Sequence, residues 1–284
     1  MTPVAHESGT LTIGGRTVHR LGFGAMRLTG PGIWDEPTDR AECIRVARRA
    51  VELGVEFIDT ADAYGPEVAD EILREALYPY PGQVLIATKV GHTRSGPGKW
   101  APVGRPEYLR QQVELELRRL GFEQLDLLQL HRVDPKVPLA DQVGELKAMQ
   151  DEGKIVRLGL SEVTVDQIEQ ARQIAEIVTV QNEYNLTDRK SAHVLDYCTD
   201  HGIGFIPWAP IARGALAAPG GPVDEVVRAT GATPGQVSLA WLLAISPVVL
   251  PIPGTSKVAH LEENVGAAAL TLSQDQVDKL TAAL

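Results

Sequence analysis

Short, nearly continuous hydrophobic runs alternate along this chain with longer segments in which apolar residues recur at helical spacing. Strands of a parallel sheet are buried on both faces and carry apolar residues at nearly every position. The pattern therefore predicts eight parallel strands, within residues 19–26, 54–61, 83–90, 125–131, 155–161, 177–184, 204–210 and 247–255.

Helical periodicity fills the intervals between these runs. In residues 39–53, Asp39 and Glu42 have the spacing of a capping box, and Gly54 follows the segment as a helix-ending residue. Repeated strand-then-helix units predict an α/β fold of the (β/α)8 TIM barrel type. A doubly wound nucleotide-binding sheet fits less well, because the first run continues as GFGAMR and not as GxGxxG.

A β-hairpin is predicted ahead of the barrel, in LTIGGRTVHR, where Gly14 and Gly15 suit a two-residue turn. No linker, low-complexity tract or shift in composition divides the chain. Residues 1–284 are therefore expected to form a single barrel domain.

The connections that follow strands are long, whereas those that follow helices are short. The longest span residues 27–38, 91–107 and 210–222. Loops that follow strands lie on the C-terminal face of a barrel, where barrel enzymes hold their active sites. Trp34 and Trp100 lie in these loops, where each could line a pocket or anchor its loop.

Four side chains suited to proton chemistry stand at consecutive strand ends: Asp59, Tyr64, Lys89 and His131. In a barrel they would meet at one mouth. A lysine ammonium would stabilise the phenolate left when Tyr64 gives its proton to a carbonyl oxygen, and Asp59 would keep the lysine charged. His131 could position the substrate oxygen in either tautomer. Each residue alone has an ordinary structural explanation, but together they predict an active site.

The eighth run ends in Gly254, Thr255, Ser256 and Lys257, before a predicted helix. Free backbone N–H groups, hydroxyls and a cation at a helix N-terminus are typical of an anion site, and barrels often bind phosphate after the eighth strand. A simple helix cap beside a solvated lysine would have the same sequence. Trp208, at the end of the seventh run, could stack on a flat ring or fill the top of the barrel.

Composition narrows the class of partner. The chain has 27 basic and 37 acidic residues, a net charge of −10, with the acidic residues scattered, which disfavours nucleic acid and anionic membranes. Cys43 and Cys198 have neither disulfide-framework nor metal-ligand spacing, and no secretory signal or long apolar span is recognised. We expect a cytoplasmic protein without a metal, acting on a small molecule as a monomer or small homo-oligomer.

The chain resembles the aldo-keto reductases over essentially its full length. The segments GVEFIDTADAYG, LIATK, LDLLQLHRVDP, GKIVRLGLS, VQNEYN and IPGTSKVAHLEEN occur in the order of that family's motifs. The resemblance implies a barrel that binds NADP(H) without a Rossmann domain and reduces an aldehyde or ketone to an alcohol by hydride transfer. It assigns Asp59, Tyr64, Lys89 and His131 as a catalytic tetrad with Tyr64 as the general acid.

The resemblance also implies a set of cofactor-binding residues. Ser161 and Gln181 would hold the nicotinamide carboxamide, and Trp208 would stack on the nicotinamide ring. The adenosine end would be bound by Gly254, Thr255, Ser256 and Lys257 at the 2′-phosphate, with Glu263 and Asn264 near the adenine.

Two departures from the family pattern bear on this site. Glu162 stands where the family usually has an asparagine that helps hold the carboxamide, and a carboxylate cannot donate as an amide does. Ser256 and Lys257 stand where the family often has an arginine, and lysine binds phosphate only as a point charge. NADPH is still expected to be preferred over NADH.

Several functions stay open at the level of sequence. AMRLTGPGIWDEP and LHRVDPKVPL resemble a microbial branch that includes pyridoxal reductases, so pyridoxal or a similar aromatic aldehyde is the expected substrate. A Schiff-base aldolase acting through Lys89 is one alternative, and an NADPH-binding, redox-sensing partner subunit is another. A metal-dependent hydrolase is disfavoured, because Asp59 and His131 have no further ligands at the strand ends.

Overall fold

The N-terminal part of the chain is a hairpin, as predicted. The computed structural model describes residues 5–211 and 222–282. After a 3₁₀ turn, Ala5–Ser8, strands β1 (Thr10–Ile13) and β2 (Arg16–His19) pair in antiparallel fashion. Gly14 and Gly15 form the turn with φ values of 50° and 81°, a region that glycine enters without strain.

Nine further strands follow within the described residues. Two of them, β6 (His92–Gly96) and β7 (Lys99–Pro102), form a second antiparallel hairpin inside the long connection of residues 91–107. The sequence pattern did not predict this hairpin. The other seven pair in parallel in chain order to form one curled sheet. They are β3 (Phe23–Gly24), β4 (Phe57–Asp59), β5 (Leu85–Val90), β8 (Leu125–Leu130), β9 (Ile155–Ser161), β10 (Ile177–Gln181) and β11 (Gly204–Phe205).

The predicted eighth run closes this sheet between β11 and β3. Phe205 N–H donates to Val248 O at 2.8 Å, and on the other side Gly22 N–H donates to Pro251 O at 3.0 Å. Proline has no N–H, so Pro251 and Pro253 can only accept from the β3 side, which leaves an incomplete ladder. The (β/α)8 barrel fold is confirmed.

Helices surround the barrel. They are α1 (Arg40–Glu52), α2 (Val68–Leu77), α3 (Pro106–Leu120), α4 (Leu139–Asp151), α5 (Val165–Arg172), α6 (Ala192–His201), α7 (Pro222–Thr230), α8 (Pro234–Ile245), α9 (Val258–Val265) and α10 (Gln274–Ala282). None of the helices in the described segments has the length and apolar character needed to cross a membrane.

Two hydrophobic cores follow from this arrangement. The larger lies between the strands and the helices, and the smaller fills the barrel interior. Ile13 and Val18 of the N-terminal hairpin belong to the interior core, where they pack with Phe57, Leu127 and Leu250. The hairpin therefore closes the bottom of the barrel, and the opposite, C-terminal mouth is left for the long connections. Residues 212–221, most of the predicted third long loop, lie outside the described segments.

Candidate active site

Three neighbouring strands bring the predicted catalytic residues to the C-terminal mouth. Asp59 ends β4, Lys89 lies near the end of β5, and His131 directly follows β8. Because β4 pairs with β5 and β5 with β8 in parallel, these strand ends lie side by side. Tyr64 lies in the turn after β4. The structure thus brings together all four side chains.

Lys89 is the centre of this group. Its Nζ lies 2.6 Å from Asp59 Oδ2, 2.8 Å from Thr60 O and 3.1 Å from Tyr64 Oη. These three contacts match the three hydrogens of an ammonium group. Burial lowers the pKa of Lys89, but Asp59 and Tyr64 outweigh burial and hold the pKa above its ordinary value. Lys89 is therefore a buried cation.

Tyr64 is a protonated phenol at neutral pH. Its side chain is buried, and burial raises the pKa of the phenol above its ordinary value although the charge of Lys89 opposes the shift. Lys89 stabilises the phenolate, as expected, but burial is the larger effect. Tyr64 can therefore donate a proton only when a basic oxygen is placed against its hydroxyl.

Asp59 is held by two glutamines as well as by Lys89. Its Oδ1 accepts from Gln181 Nε2 at 2.8 Å and from Gln129 Nε2 at 3.3 Å. Gln129 was not predicted as a site residue, although a glutamine inside the apolar run LDLLQLH was a signal for it. Gln181, which is expected at the nicotinamide carboxamide, thus donates one of its two amide hydrogens to Asp59. The carboxylate is thus fixed in orientation.

His131 is a neutral imidazole. Burial lowers its pKa well below the ordinary value, and the nearby charges of Lys89 and Arg132 lower it further. Its Nδ1 is buried without a hydrogen-bond partner among the described residues. The ring stands edge-on to the Tyr64 ring at a centroid distance of 5.9 Å. A neutral imidazole has one donor nitrogen, so His131 can donate one hydrogen bond to a ligand oxygen.

A cavity of about 430 Å³ opens over the tetrad. It adjoins a second cavity of about 700 Å³ that is lined by Ser256 and Lys257, and the two share Met26, Arg27 and Ile33 as lining residues. Together they form an elongated cleft that runs from Tyr64 towards the end of the eighth strand. The first cavity is lined by Gly24, Met26, Arg27, Ile33, Asp59, Tyr64, His92, Trp100, His131, Arg132, Gln181, Trp208, Ala209, Pro210, Ile211, Ile252, Pro253 and Gly254.

The second hairpin forms one wall of the first cavity. Trp100 lines it, whereas Trp34 makes a β-bridge to Gly65 beside the tetrad turn. Arg94 joins the two loops that carry these tryptophans, because its guanidinium lies 3.5 Å from the Trp100 ring centroid and donates to Gly32 O at 2.8 Å. It also donates to Ala63 O, in the tetrad turn, at 2.7 Å. Sequence reasoning left open whether these tryptophans line a pocket or anchor a loop, and the structure shows one of each.

Two of the three predicted nicotinamide residues line the same cavity. Trp208 and Gln181 line the first cavity, while Ser161 is buried behind it and accepts a hydrogen bond from Arg132 Nη1 at 3.0 Å. Glu162 has a positive φ of 55° and accepts from Trp208 Nε1 at 2.6 Å. It was expected only to weaken a carboxamide contact. In the structure its carboxylate anchors the indole of Trp208 instead.

The predicted phosphate segment is divided between the two cavities. Gly254 lines the first, and Ser256 and Lys257 line the second. Lys257 forms no ion pair among the described residues.

The expected capping box of α1 is not formed: Asp39 accepts from the Glu42 backbone, but the Glu42 carboxylate accepts from Val258 N at 3.1 Å, at the start of α9.

The remaining three predicted positions lie outside the cavity linings. Thr255 is buried, and its hydroxyl accepts from Lys257 N at 3.1 Å. Glu263 and Asn264 lie on α9 and line neither of the two cavities.

Two curated proteins are similar to this chain over nearly all of its length. An uncharacterized oxidoreductase of Schizosaccharomyces pombe is 55% identical over 97% of this chain and 90% of its own. Pyridoxine 4-dehydrogenase of Escherichia coli is 43% identical over 96% of this chain and 98% of its own.

Solved structures with the same fold point to the same family. A glycerol dehydrogenase from Gluconobacter oxydans matches with a TM-score of 0.87 and 25% identity, over 97% of this chain and 95% of that one. An aldo-keto reductase from Klebsiella pneumoniae in complex with NADPH matches with a TM-score of 0.81 and 25% identity, over 95% and 93%. The aldo/keto reductase family model matches residues 20–284, and the chain belongs to that family.

Proposed function

We propose that this protein is an NADP(H)-dependent reductase that converts an aldehyde or ketone to an alcohol, with Tyr64 as the general acid. The contact between Lys89 Nζ and Tyr64 Oη, 3.1 Å, at the floor of a cavity carries the proposal. It places a buried cation, itself paired with Asp59, against the one phenol that lines that cavity among the described residues.

The described residues fit a nicotinamide dinucleotide. The two adjoining cavities offer an aromatic side chain, Trp208, in one and a lysine without an ion-pair partner among the described residues, Lys257, in the other. Gln181, Ser161 and Trp208 would hold the nicotinamide end, and Ser256 and Lys257 the phosphate of the adenosine end. Gly254 and Thr255, with Glu263 and Asn264 further along α9, would complete the adenosine site. NADPH in the Klebsiella pneumoniae relative supports the assignment.

The protein's own contribution is to place and protonate the carbonyl oxygen. The bound cofactor supplies a hydride to the carbonyl carbon. The oxygen, which gains negative charge, accepts a hydrogen bond from neutral His131 and the proton of Tyr64. Lys89 stabilises the phenolate that remains, and Asp59 keeps Lys89 protonated and in place. The product is the alcohol, and Tyr64 recovers its proton from solvent.

Pyridoxal or a related aromatic aldehyde is the substrate we propose. The pyridoxine 4-dehydrogenase relative acts on the alcohol of that pair by its name, and it is 43% identical to this chain. Two aromatic side chains, Trp100 and Trp208, line the cavity and suit a flat ring.

The geometry argues against a Schiff-base aldolase. Such chemistry needs a neutral, accessible amine. The side chain of Lys89 has no exposed surface, and its hydrogens are engaged by Asp59, Thr60 and Tyr64.

The test compares Tyr64→Phe with the wild-type protein. We expect Tyr64→Phe to lose turnover of pyridoxal with NADPH by about 10²- to 10⁴-fold, because general acid catalysis contributes that much. Binding of NADPH, followed by tryptophan fluorescence, should persist. Tyr80→Phe is the matched control, since the Tyr80 hydroxyl has no hydrogen-bond partner among the described residues and lies outside the cavity. Near-normal turnover by Tyr64→Phe would exclude Tyr64 as the acid.

A further inference from the structure

Arg132 presents an unpaired cation to the cavity over the tetrad. The residue directly follows His131, and its half-buried side chain lines the cavity. Its Nη1 donates to His131 O at 2.6 Å and to Ser161 Oγ at 3.0 Å. Its Nε and Nη2 have no hydrogen-bond partner within residues 5–211 and 222–282, and no carboxylate there forms an ion pair with it.

The acidic groups that act on Arg132 at longer range are engaged elsewhere. Glu162 accepts from Trp208 Nε1 and from Glu183 N, at 2.6 and 2.7 Å. The Glu183 carboxylate pairs with Lys190 at 2.6 Å. Residues 212–221, which are not described, contain no Asp or Glu. Both donors to Glu162 are neutral, so its carboxylate keeps its charge, but within residues 5–211 and 222–282 it is not in ion-pair contact with Arg132.

The Arg132 guanidinium faces the reacting end of the cavity with no carboxylate in contact among the described residues. Asp59 and Lys89 cancel each other as a buried pair, and His131 is neutral. Burial lowers the pKa of His92, which also lines the cavity, to about 4, so that this imidazole is neutral too. A cation that lines the cavity beside the reacting groups without a carboxylate in contact favours an anionic ligand.

The position of Arg132 separates it from the predicted phosphate end of the cleft. Ser256 and Lys257 line the second cavity, which Arg132 does not reach, and Arg27 lies between the two cavities. Arg132 lies instead beside the reacting groups, and its charge acts on Tyr64 and His131. An anion bound by Arg132 would therefore belong to the molecule whose carbonyl faces Tyr64.

We propose that Arg132 is a specificity-determining residue that binds an anionic oxygen of the substrate. The substrates of this site are then carbonyl compounds that carry a carboxylate, phenolate or phosphate oxygen near the reacting carbonyl. Guanidinium groups bind such oxygens with two parallel hydrogen bonds, and Arg132 has two free donor nitrogens to offer. The inference rests on the reductase function proposed above, and it narrows the substrate class of the same site.

The experiment measures kcat/KM for pairs of aldehydes that differ only in the anion. The pairs are 3-carboxybenzaldehyde and its methyl ester, pyridoxal and its 3-O-methyl ether, and pyridoxal 5′-phosphate and pyridoxal, which distinguish carboxylate, phenolate and phosphate. We expect the wild-type protein to prefer the anionic member of at least one pair by about 10- to 100-fold, the size of a charge-assisted hydrogen bond to a substrate group.

Two variants of Arg132 and one control assign that preference. Arg132→Met should bring the ratio of kcat/KM for the anionic and neutral aldehydes to about 1. Arg132→Lys keeps the charge and should retain part of the preference for the anionic aldehyde. Arg105→Met removes the same charge from a 70% exposed side chain and should leave the ratio unchanged. Thermal unfolding of each variant checks that it is folded, and tryptophan fluorescence gives its affinity for NADPH.

Two results for Arg132→Met would overturn the proposal and make Arg132 a structural or cofactor-binding residue. One is an equal loss of kcat/KM for both members of every pair, and the other is a weaker affinity for NADPH with an unchanged ratio of kcat/KM between the members. No preference in the wild-type protein would overturn it as well. Failure of the wild-type protein to reduce any aldehyde would refute the reductase function separately. In that case, calorimetry of 3-(hydroxymethyl)benzoate and its methyl ester still decides whether Arg132 binds the carboxylate.

Discussion

Replacement of Lys89 by methionine tests the buried ion pair that organises the site. Lys89 and Asp59 are 0% and 2% exposed, so Lys89→Met leaves a buried carboxylate without its cation. Removal of one partner from a buried pair costs about 3–5 kcal/mol. We expect the lower part of that range, because Asp59 keeps hydrogen bonds from Gln181 and Gln129. A loss of about 3 kcal/mol is a large part of the roughly 5–15 kcal/mol that stabilises a typical protein.

Catalysis should fall for a separate reason. Without the ammonium 3.1 Å from its hydroxyl, the Tyr64 phenolate loses its stabilising charge, and the phenol becomes a weaker acid. We expect kcat to fall by about 10²- to 10⁴-fold, comparable to the loss of the general acid itself.

The double variant Asp59→Asn/Lys89→Met separates these two effects. It removes both buried charges, so it should recover most of the free energy of unfolding that Lys89→Met loses, and it should remain inactive. Urea unfolding followed by tryptophan fluorescence measures the stability, and NADPH consumption measures the activity. If the double variant is no more stable than Lys89→Met, the unpaired Asp59 carboxylate is not the cause of the lost stability. If Lys89→Met keeps more than a tenth of the activity, Lys89 does not support Tyr64.

Three further predictions concern the cofactor and pH. Glu162→Ala removes the carboxylate that anchors Trp208, so the Kd for NADPH, measured by fluorescence, should rise by about 10-fold. Glu162→Gln keeps an acceptor oxygen, and its Kd should stay near that of the wild-type protein. An unchanged Kd in both variants would show that the hydrogen bond to Trp208 does not contribute to NADPH binding. Glu42→Gln removes a negative charge from the N-terminus of α9, so the ratio of the NADH Kd to the NADPH Kd should increase about two- to fivefold, and a decrease would contradict the competition between this carboxylate and the 2′-phosphate. Because the pKa of His131 lies well below 6.5 and that of Tyr64 above 10.0, kcat/KM for a neutral aldehyde should be flat between these pH values, and an inflection near pH 7 would mean that the histidine is not neutral.

Local sequence pattern was sufficient for the architecture. The apolar runs of the barrel and the Gly14-Gly15 turn depend on short-range preferences of the backbone and on burial of both strand faces. The eighth run was found by the same pattern, although Pro251 and Pro253 interrupt its hydrogen bonding to β3. The β6–β7 hairpin was missed because the strand HTRSG has no apolar side chain and the strand KWAP is only four residues long, so neither shows apolar alternation.

The candidate site was predicted in part. The C-terminal ends of the strands in a parallel barrel lie on one face, so the order of the chain alone places Asp59, Lys89 and His131 together. The same reasoning could not show that Glu162 turns to Trp208, or that Arg132 faces the cavity without a carboxylate partner. Those contacts join side chains that are far apart in sequence, and each polar group has several alternative partners.

The fold and the residue types at the mouth of the barrel thus follow from the periodicity and order of the strands, and the family follows from the resemblance of the successive motifs. The protonation and the hydrogen-bond partners of those residues, by contrast, depend on tertiary packing. Barrel closure buries Tyr64 and His131, which raises the pKa of Tyr64 and lowers the pKa of His131. No local pattern in the chain indicates this burial. The hydrogen bond from Gln181 to Asp59 spans 122 positions, and it forms only when the barrel brings their strands within reach.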